Sequence, residues 1–483
     1  MTAHGSTPPV PVEQLGRVHM IGVGGAGMSV IARLLAARGV AVQGSDAADS
    51  ETLATLREAG VTVWAGHDAA HVAGADTVVV SSAVRETNPE LAAARAAGLR
   101  VLHRSQALAA LMLGTRGVAV AGAHGKTTTS AMIATILREA GVDASYAIGS
   151  SVRTATGSVP GGHLGAADVL VAEADESDGS FLNYAPTIAV VTNVEPDHLD
   201  HWGTQEAFTD AFVQFARRVV PGGRLVACAD DPGSVSVAAT IGDTGGQVIT
   251  YGTAETAQVR VSHVVTTETG ASAMLRGDLL GQDARDGGPG IALRLSVPGA
   301  HNVLNATAAV VTAVLLGVEP VTAVAGAEAF LGTGRRFELR GEAGGVRVVD
   351  DYGHHPTEIE VVLRGARPVA GDGRIVVLFQ PHLYSRTRIF ADRFAEALSL
   401  ADEVVVTGVY RAREDVDPDV SSRTITDLLP GARSVEDRLE AAHVVADLAR
   451  PGDLVLTVGA GDVTELGPVI LADLAARAQA GSR

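Results

Sequence analysis

The sequence predicts an α/β protein of three domains: an N-terminal Rossmann-like domain, a central P-loop ATPase-like domain whose parallel sheet carries an antiparallel patch, and a C-terminal Rossmann-like domain. Its length of 483 residues corresponds to about three domains of ~150 residues. Apolar strands alternate with helical segments in three successive stretches, which predicts parallel sheets covered by helices. Two of these stretches carry a glycine loop between strand and helix. The expected domain boundaries are 1–113, 114–333 and 334–483.

Each stretch begins with an apolar strand. In the N-terminal stretch the expected strands and helices are Val18–Val23, Met28–Arg38, Ala41–Gly44, Thr77–Ser81 and Arg104–Leu113. In the central stretch they are Gly117–Ala121, Thr127–Ala140, Val169–Ala172, Ile188–Thr192, Ala207–Val219 and Asn302–Leu316. Short alternating runs between about Val248 and Val297 predict the antiparallel patch. The C-terminal stretch predicts strands Val346–Val349, Ile375–Phe379, Val404–Thr407 and Leu454–Val458, and helices Ile359–Arg364, Phe390–Leu398 and Val435–Leu448.

Composition excludes several classes of protein. A formal net charge of −18 argues against general attraction to nucleic acid or anionic membranes. A single cysteine, Cys228, excludes an intramolecular disulfide and a cysteine-based metal cluster. We see no signal peptide and no apolar run of the ~18 residues that a membrane span needs. A soluble cytoplasmic protein, as a monomer or homodimer, is therefore expected.

The first glycine loop follows the first strand and opens a helix. Its glycines include Gly24, Gly25 and Gly27, and Asp46 follows the second strand. Glycine lets the backbone approach a diphosphate, and an acid at this distance can bind a ribose hydroxyl. The pattern predicts a dinucleotide-type site without distinguishing NAD from another nucleotide diphosphate. The alternative is a tight turn with no ligand.

The second glycine loop is a variant P-loop, with Val120 where a strict Walker A motif has glycine. Lys126 is the only lysine in a chain that has 36 arginines. A compact ammonium suits close contact with phosphate oxygens better than a planar guanidinium. Backbone amides are expected to cradle phosphates, Lys126 to bridge them and Thr127 to bind Mg²⁺. The predicted ATP-binding residues here are Gly122, Ala123, His124, Gly125, Lys126, Thr127 and Thr128.

Polar groups follow several other predicted strands. Glu173 and His198 lie after two central strands and are the best candidates for divalent metal binding beside the P-loop. His301, Asn302 and Asn305 open a predicted helix and suit contact with a nucleotide base, although Asn302 is also a reasonable N-cap. Around the third domain the candidates for ligand positioning are Arg336, Asp351, Tyr352, His354, His382 and Arg386.

Taken together, these motifs resemble the Mur ligases. GVGGAGMS, GAHGKTT, EADESDGSF, TNVEPDHLDHWG, GAHNVLNA, GTGRRFE, DDYGHHPTE and FQPHLYSRT occur in the order found in that family, from Val18 to about Asp462. Within it, the opening loop, EADESDGSF and DDYGHHPTE look like the subfamily that adds L-alanine. The resemblance implies ATP-dependent ligation of L-alanine to the lactyl carboxylate of UDP-N-acetylmuramate, through an acyl phosphate, in peptidoglycan precursor synthesis.

The resemblance also implies a role for each motif. The first loop and Asp46 would bind UDP rather than NAD, and Lys126, Thr127 and Thr128 would hold ATP phosphates and Mg²⁺. His301, Asn302 and Asn305 would contact the adenosine side, completed by Arg336 and Asp351. The predicted catalytic residues are Lys126, Glu173, His198, Arg336, Asp351, His354 and His382. The predicted contacts to substrate carboxylate and alanine are Tyr352, His354, His382 and Arg386.

A departure from sister ligases bears on the metal site. Several of them hold a second metal with a carbamylated lysine, and this sequence has no lysine besides Lys126. The resemblance then implies that His198 serves that metal, with Thr127 and Glu173 as the other metal residues.

Three alternatives remain open at the level of sequence. An NAD-dependent dehydrogenase would explain the first loop but not the P-loop. A non-catalytic nucleotide-binding regulator would not need the full set of polar residues. A recycling ligase that joins a whole peptide to the same sugar nucleotide would differ only in its acceptor pocket.

Overall fold

The structure is a computed structural model that describes residues 9–196, 202–282, 290–412 and 414–481. Within them the chain forms two compact units. The larger comprises Met1–His263, Ala273–Leu293 and Leu304–Phe330, and the smaller Val264–Ser272, Arg294–Val303 and Leu331–Arg483. In this part of the chain, no helix combines the length and apolar character needed to cross a bilayer.

The N-terminal domain is built on a parallel sheet. The strand order across it is Thr62–Ala65, Val42–Asp46, Val18–Ile21, Thr77–Val80 and Arg100–His103. The helices are Ala26–Ala37, Glu51–Glu58, Pro89–Ala96 and Arg104–Met112. All four residues of the central strand are buried. Two strands, Thr62–Ala65 and Arg100–His103, were absent from the prediction; both are sheet edges and only partly buried.

A ten-stranded sheet forms the core of the central domain. Its strand order is Gly162–His163, Ser145–Ala147, Val169–Glu173, Arg116–Ala121, Ile188–Val191, Arg224–Cys228, Val248–Gly252, Val259–Thr266, Ala271–Arg276 and Ile291–Leu295. The helices are Lys126–Glu139, Gln205–Ala216, Pro232–Asp243, Ala300–Leu315 and Pro320–Glu328. A separate hairpin pairs Val152–Thr154 with Gly157–Val159.

The predicted antiparallel patch begins later than expected. Val248–Gly252 pairs in parallel with Arg224–Cys228, and its end pairs in parallel with the start of Val259–Thr266. The prediction was wrong for this first strand. Alternation of apolar and polar residues indicates that a strand is exposed on one face, but it does not indicate whether its neighbour runs parallel or antiparallel.

The C-terminal domain has a mixed sheet in the order Glu338–Ala343, Val346–Asp351, Leu454–Val458, Ile375–Phe379, Glu403–Val406 and Arg433–Ser434. Only the first pair is antiparallel. The helices are Pro356–Ala370, Tyr384–Ile389, Ala391–Leu398, Arg423–Thr426, Arg438–Leu448 and Leu466–Gly481. The carboxyl ends of the parallel strands share one edge, where ligands bind in such sheets.

Candidate active site

The P-loop joins the buried strand Arg116–Ala121 to the helix Lys126–Glu139. Two of its glycines have positive φ, 143° at Gly122 and 84° at Gly125. A Cβ at Gly122 would lie 2.0 Å from Thr192 Oγ1, and one at Gly125 would lie 2.7 Å from Asn305 Oδ1. Only glycine therefore allows the loop to pass this close to its neighbours.

The neighbouring strand end holds the loop through His124. The His124 amide donates to Asn193 Oδ1 at 2.9 Å, and the His124 carbonyl accepts from Thr192 Oγ1 at 2.6 Å and from Asn193 Nδ2 at 3.0 Å. His124 Nε2 also lies 3.3 Å from Glu195 Oε2. These bonds fix the backbone of the loop before any ligand arrives, an example of preorganisation.

Lys126 is held by the loop and by a buried acid. Its Nζ donates to the Gly122 carbonyl at 2.6 Å and to Glu176 Oε1 at 2.9 Å. The side chain of Glu176 is only 1 % exposed. Burial raises the pKa of Glu176 to about 7, although the charge of Lys126 opposes the rise. Burial alone would lower the pKa of Lys126. The negative charges of Glu176 and Asp175 have the larger effect and raise this pKa above its usual value, so the ammonium stays charged.

The predicted metal residues Thr127 and Glu173 lie side by side. Thr127 Oγ1 donates to Glu173 Oε2 at 3.2 Å, and the other carboxylate oxygen accepts the Gly149 amide at 2.9 Å. Thr127 lies in the first turn of the P-loop helix and Glu173 ends the adjacent strand, so the fold brings together two residues 46 positions apart. The third predicted metal residue, His198, lies outside the described residues.

The three residues of the helix Ala300–Leu315 have different surroundings. Asn305 Oδ1 accepts from Thr129 Oγ1 at 3.2 Å, which places Asn305 against the P-loop helix. Asn302 lies inside the first turn and donates to the Pro298 carbonyl at 2.7 Å, so it is not the N-cap. Burial, assisted by the charge of Arg336, lowers the pKa of His301 to about 4 and keeps its ring neutral.

The first glycine loop closes onto Asp46. The amide of Gly24 donates to Asp46 Oδ2 at 2.8 Å, and a Cβ at Gly24 would lie 2.9 Å from the same oxygen. Gly25 is the N-cap of the helix Ala26–Ala37, and Gly27 lies in its first turn. Asp46 therefore stabilises the loop itself, in addition to any contact it makes with a ribose.

In the C-terminal domain, Asp351 ends the strand Val346–Asp351 and organises two loops. Its carboxylate accepts the amides of Phe337 at 2.8 Å and Gly353 at 2.7 Å. Burial raises the pKa of Asp351 to about 6, against the opposing charge of Arg336. The predicted pair Arg336 and Asp351 is thus brought together within one domain.

Two guanidinium groups flank the ring of Tyr352. The Cζ atoms of Arg335 and Arg336 lie 5.0 and 5.1 Å from its centroid, within the range of cation–π attraction. Arg335 also donates to the Gly459 carbonyl at 2.8 Å. Both guanidinium groups also pair with acids, Arg335 with Asp350 at 3.4 Å and Arg336 with Glu358 at 3.7 Å.

His354, His382 and Arg386 converge beside that edge. The two imidazole centroids are 5.8 Å apart, and Arg386 Nη1 lies 3.4 Å from His382 Nδ1. Arg386 is only 5 % exposed. Glu358 Oε2 contacts His354 Nδ1 at 3.3 Å, and Tyr410 stacks on His382. The structure thus places Tyr352, His354, His382 and Arg386 next to one another.

Three family models match the chain: the Mur ligase family catalytic domain at residues 17–116, the Mur ligase middle domain at 120–313 and the Mur ligase glutamate ligase domain at 335–461. The chain belongs to the Mur ligase family. This membership decides against the dehydrogenase alternative for the first glycine loop.

Relatives and solved structures agree with this family. A UDP-N-acetylmuramate–L-alanine ligase of Kineococcus radiotolerans is 58% identical over 473 residues, covering 96% of this chain and 98% of the relative. One of Thermobifida fusca is 53% identical with the same coverage. The crystal structure of a UDP-N-acetylmuramate–alanine ligase from Thermotoga maritima matches with a TM-score of 0.75 and 29% identity, over 96% of this chain and 99% of that one. A murein peptide ligase from Psychrobacter arcticus matches with a TM-score of 0.71 and 25% identity, over 95% of this chain and 99% of that one.

Sequence reasoning missed several polar residues of this Mur ligase. Asn193 and Glu358 lie inside quoted motifs, and Glu358 forms a capping box with His355, a local pattern that could have revealed it. Glu90 was not anticipated at all. It is fully buried in the N-terminal domain and contacts three histidines, His19, His67 and His71. Because the four residues come from distant parts of the sequence, no spacing rule would have grouped them.

Proposed function

We propose that this Mur ligase joins L-alanine to the lactyl carboxylate of UDP-N-acetylmuramate, with cleavage of ATP to ADP and phosphate. The observation that carries the proposal is the 58% identity to an alanine-adding ligase over nearly the whole of both chains. The geometry supports the chemistry, because a preformed P-loop with a partly buried lysine lies in the central domain. We also propose the domain boundaries 1–113, 114–333 and 334–483.

The first half-reaction activates a poor electrophile. An oxygen of the lactyl carboxylate attacks the γ-phosphorus of ATP, the bond to the bridging oxygen breaks, and an acyl phosphate and ADP form. Lys126, which the loop carbonyls hold in place, stabilises negative charge on the transferred phosphoryl group. Gly122, Ala123, His124, Gly125, Thr127 and Thr128 supply the loop around the phosphates, as in other P-loops.

The residues beside the P-loop fit Mg²⁺. Thr127 Oγ1 and Glu173 Oε2 are oxygen donors 3.2 Å apart, and neighbouring ligands of an octahedral Mg²⁺ lie about 3 Å apart. Thr127 and Glu173 would hold the ion, with His198 as the third residue of the proposal. When bound, the ion supplies positive charge to the phosphate oxygens.

The second half-reaction needs a neutral amine. The amine nitrogen attacks the acyl carbon, phosphate leaves, and the nitrogen gives up a proton. Contact of Glu358 with His354 Nδ1 favours the tautomer whose Nε2 accepts that proton. Buried Arg386 is the cation for the alanine carboxylate, with His382 and Tyr352 beside it.

The remaining residues bind the two nucleotides. Gly24, Gly25, Gly27 and Asp46 would bind UDP. His301, Asn302, Asn305 and Arg336 would serve the adenosine side of ATP, and a neutral imidazole at His301 suits stacking on a base. Asp351 would hold the loop that carries Arg336, since it binds the adjacent Phe337 amide.

The test is phosphate release with ATP, Mg²⁺ and UDP-N-acetylmuramate, adding L-alanine, glycine, L-serine or a muropeptide-type tripeptide one at a time. We expect the fastest release with L-alanine and a product heavier by one alanyl unit. Release only with the tripeptide would assign the chain to the recycling ligases. No release with any acceptor, from protein that binds ATP, would contradict a ligase function.

A further inference from the structure

Arg104 occupies an unfavourable place for a basic residue. It is the first residue of the helix Arg104–Met112. The helix macrodipole disfavours positive charge there. A basic residue at this unfavourable position suggests that its side chain binds a partner outside its own helix.

One side of the guanidinium is fixed by the central domain. Arg104 Nη2 donates to Asp175 Oδ2, and the other oxygen of Asp175 accepts the Ser177 amide at 3.0 Å. Burial lowers the pKa of Arg104, but the charge of Asp175 outweighs it and the net pKa is raised. The guanidinium therefore stays charged and hydrogen-bonded to Asp175.

The other side of the guanidinium faces the first glycine loop. A Cβ at Gly27 would lie only 2.9 Å from Arg104 Nη1. Gly27 is in the first turn of the helix that the loop opens. The absence of a side chain there lets the guanidinium lie against the turn at which a diphosphate would be bound.

We propose that Arg104 is a phosphate-binding residue of the nucleotide-sugar site and that Asp175 orients it. The inference rests on the proposed function, because a diphosphate on the first loop is the ligand that Arg104 would contact. An arginine has donors for both partners at once, so Nη2 holds Asp175 while Nη1 serves the diphosphate.

This arrangement links the two nucleotide sites. Asp175 is next to Glu176, the buried partner of Lys126. Asp178, in the same segment, contacts His103 at 3.5 Å and accepts from Ser82. The lactyl carboxylate must reach the γ-phosphate from a neighbouring domain, and small errors in position reduce rate strongly. The Arg104–Asp175 ion pair, together with the contacts of Asp178, helps to set that position.

The test measures binding of UDP alone by calorimetry, without ATP or alanine. Removal of the guanidinium in Arg104→Met should weaken UDP binding about tenfold or more, and Arg104→Lys should recover only part of it. Asp175→Asn should weaken UDP binding about threefold, although Asp175 belongs to the ATP domain. The double variant should bind UDP little more weakly than Arg104→Met alone. Such non-additive effects are expected when two residues act through one interaction.

Arg95→Met is the matched control, because Arg95 forms an exposed ion pair with Glu86 in the same domain. It should bind UDP like the wild type. Wild-type affinity in Arg104→Met, or fully additive effects with Asp175→Asn, would overturn the proposal. If Arg104→Met does not fold, the UDP affinities of Arg104→Lys and Asp175→Asn test the proposal instead. Wild-type UDP affinity in both of these variants would overturn the proposal. UDP binding that depends on Arg104 in a protein that releases no phosphate would instead contradict the proposed function alone.

Discussion

At the scale of the residue, the solitary lysine is the clearest point at which composition predicts chemistry. Lys126→Met keeps the apolar stem and removes the charge. The pKa of Glu176 is about 7 beside the lysine, and loss of the lysine charge should raise it further, so the buried carboxyl becomes neutral at pH 7 and the fold should survive. We expect phosphate release to fall by at least ~10²-fold.

Circular dichroism and phosphate release on the same preparation check this expectation, with Lys126→Arg as the test of geometry. The arginine variant keeps the charge but not the compact ammonium, and should stay strongly impaired. Turnover close to the wild-type rate in Lys126→Met would contradict the role of Lys126.

Glu90 supports a second prediction, on acid stability. Ser45 Oγ donates to Glu90 Oε2 at 2.5 Å, and His71 Nδ1 lies 2.7 Å from Oε1. Burial raises the pKa of Glu90, but contacts with His19, Ser45 and His71 outweigh it and lower the pKa from 4.5 to about 2. A lowered pKa stabilises the fold above the unfolded value of 4.5, and that contribution is lost as pH falls from about 5 toward 2. It amounts to at most about 3 kcal/mol.

Urea unfolding of Glu90→Gln and the wild type, compared at pH 7 and pH 3.5, measures this contribution. The difference in unfolding free energy should be large at pH 7 and shrink at pH 3.5. Glu86→Gln, in the exposed ion pair with Arg95, should change little at either pH. A constant difference for Glu90→Gln would show that the carboxylate charge is not what stabilises this domain.

At the scale of the element, the sequence predicted the strand–loop–helix units and the parallel sheets, but missed two edge strands and the direction of one strand. In the strand before the P-loop every residue after Arg116 is buried, so its apolar run stands out. Thr62–Ala65 is half-exposed at a sheet edge and carries no such run. The parallel pairing of Val248–Gly252 depends on topology, which a local pattern does not contain. The candidate site shows the same division: its loops were predictable, but the bond of Asn193 to His124 joins residues 69 positions apart.

The P-loop itself supports a prediction with a matched control. Gly122 and Gly141 both have positive φ, 143° and 77°. A Cβ at Gly122 would lie 2.0 Å from Thr192 Oγ1, whereas nothing lies within 4 Å of one at Gly141. Gly141→Ala should cost about 1–2 kcal/mol of stability and keep activity. Gly122→Ala should displace the loop from Thr192 and abolish ATP-dependent turnover.

Thermal unfolding and phosphate release on the two variants separate conformational strain from loss of the loop. Equal activity in both variants would show that the close approach at Gly122 does not matter for phosphate binding.

At the scale of the whole molecule, the net charge of −18 opposes the arrival of the anions that the ligase uses. UDP-N-acetylmuramate and ATP are both negatively charged, whereas L-alanine is a zwitterion at neutral pH. Salt screens charges beyond a Debye length of about 8–10 Å near 0.1–0.15 M. Raising KCl from 10 to 150 mM at constant Mg²⁺ should therefore increase kcat/KM for both nucleotides by about two- to threefold. The value for L-alanine should hardly change, which controls for effects of salt on the chemical step. A fall in kcat/KM for the nucleotides would mean that the local cations Lys126 and Arg104 govern their approach, and that the overall charge does not.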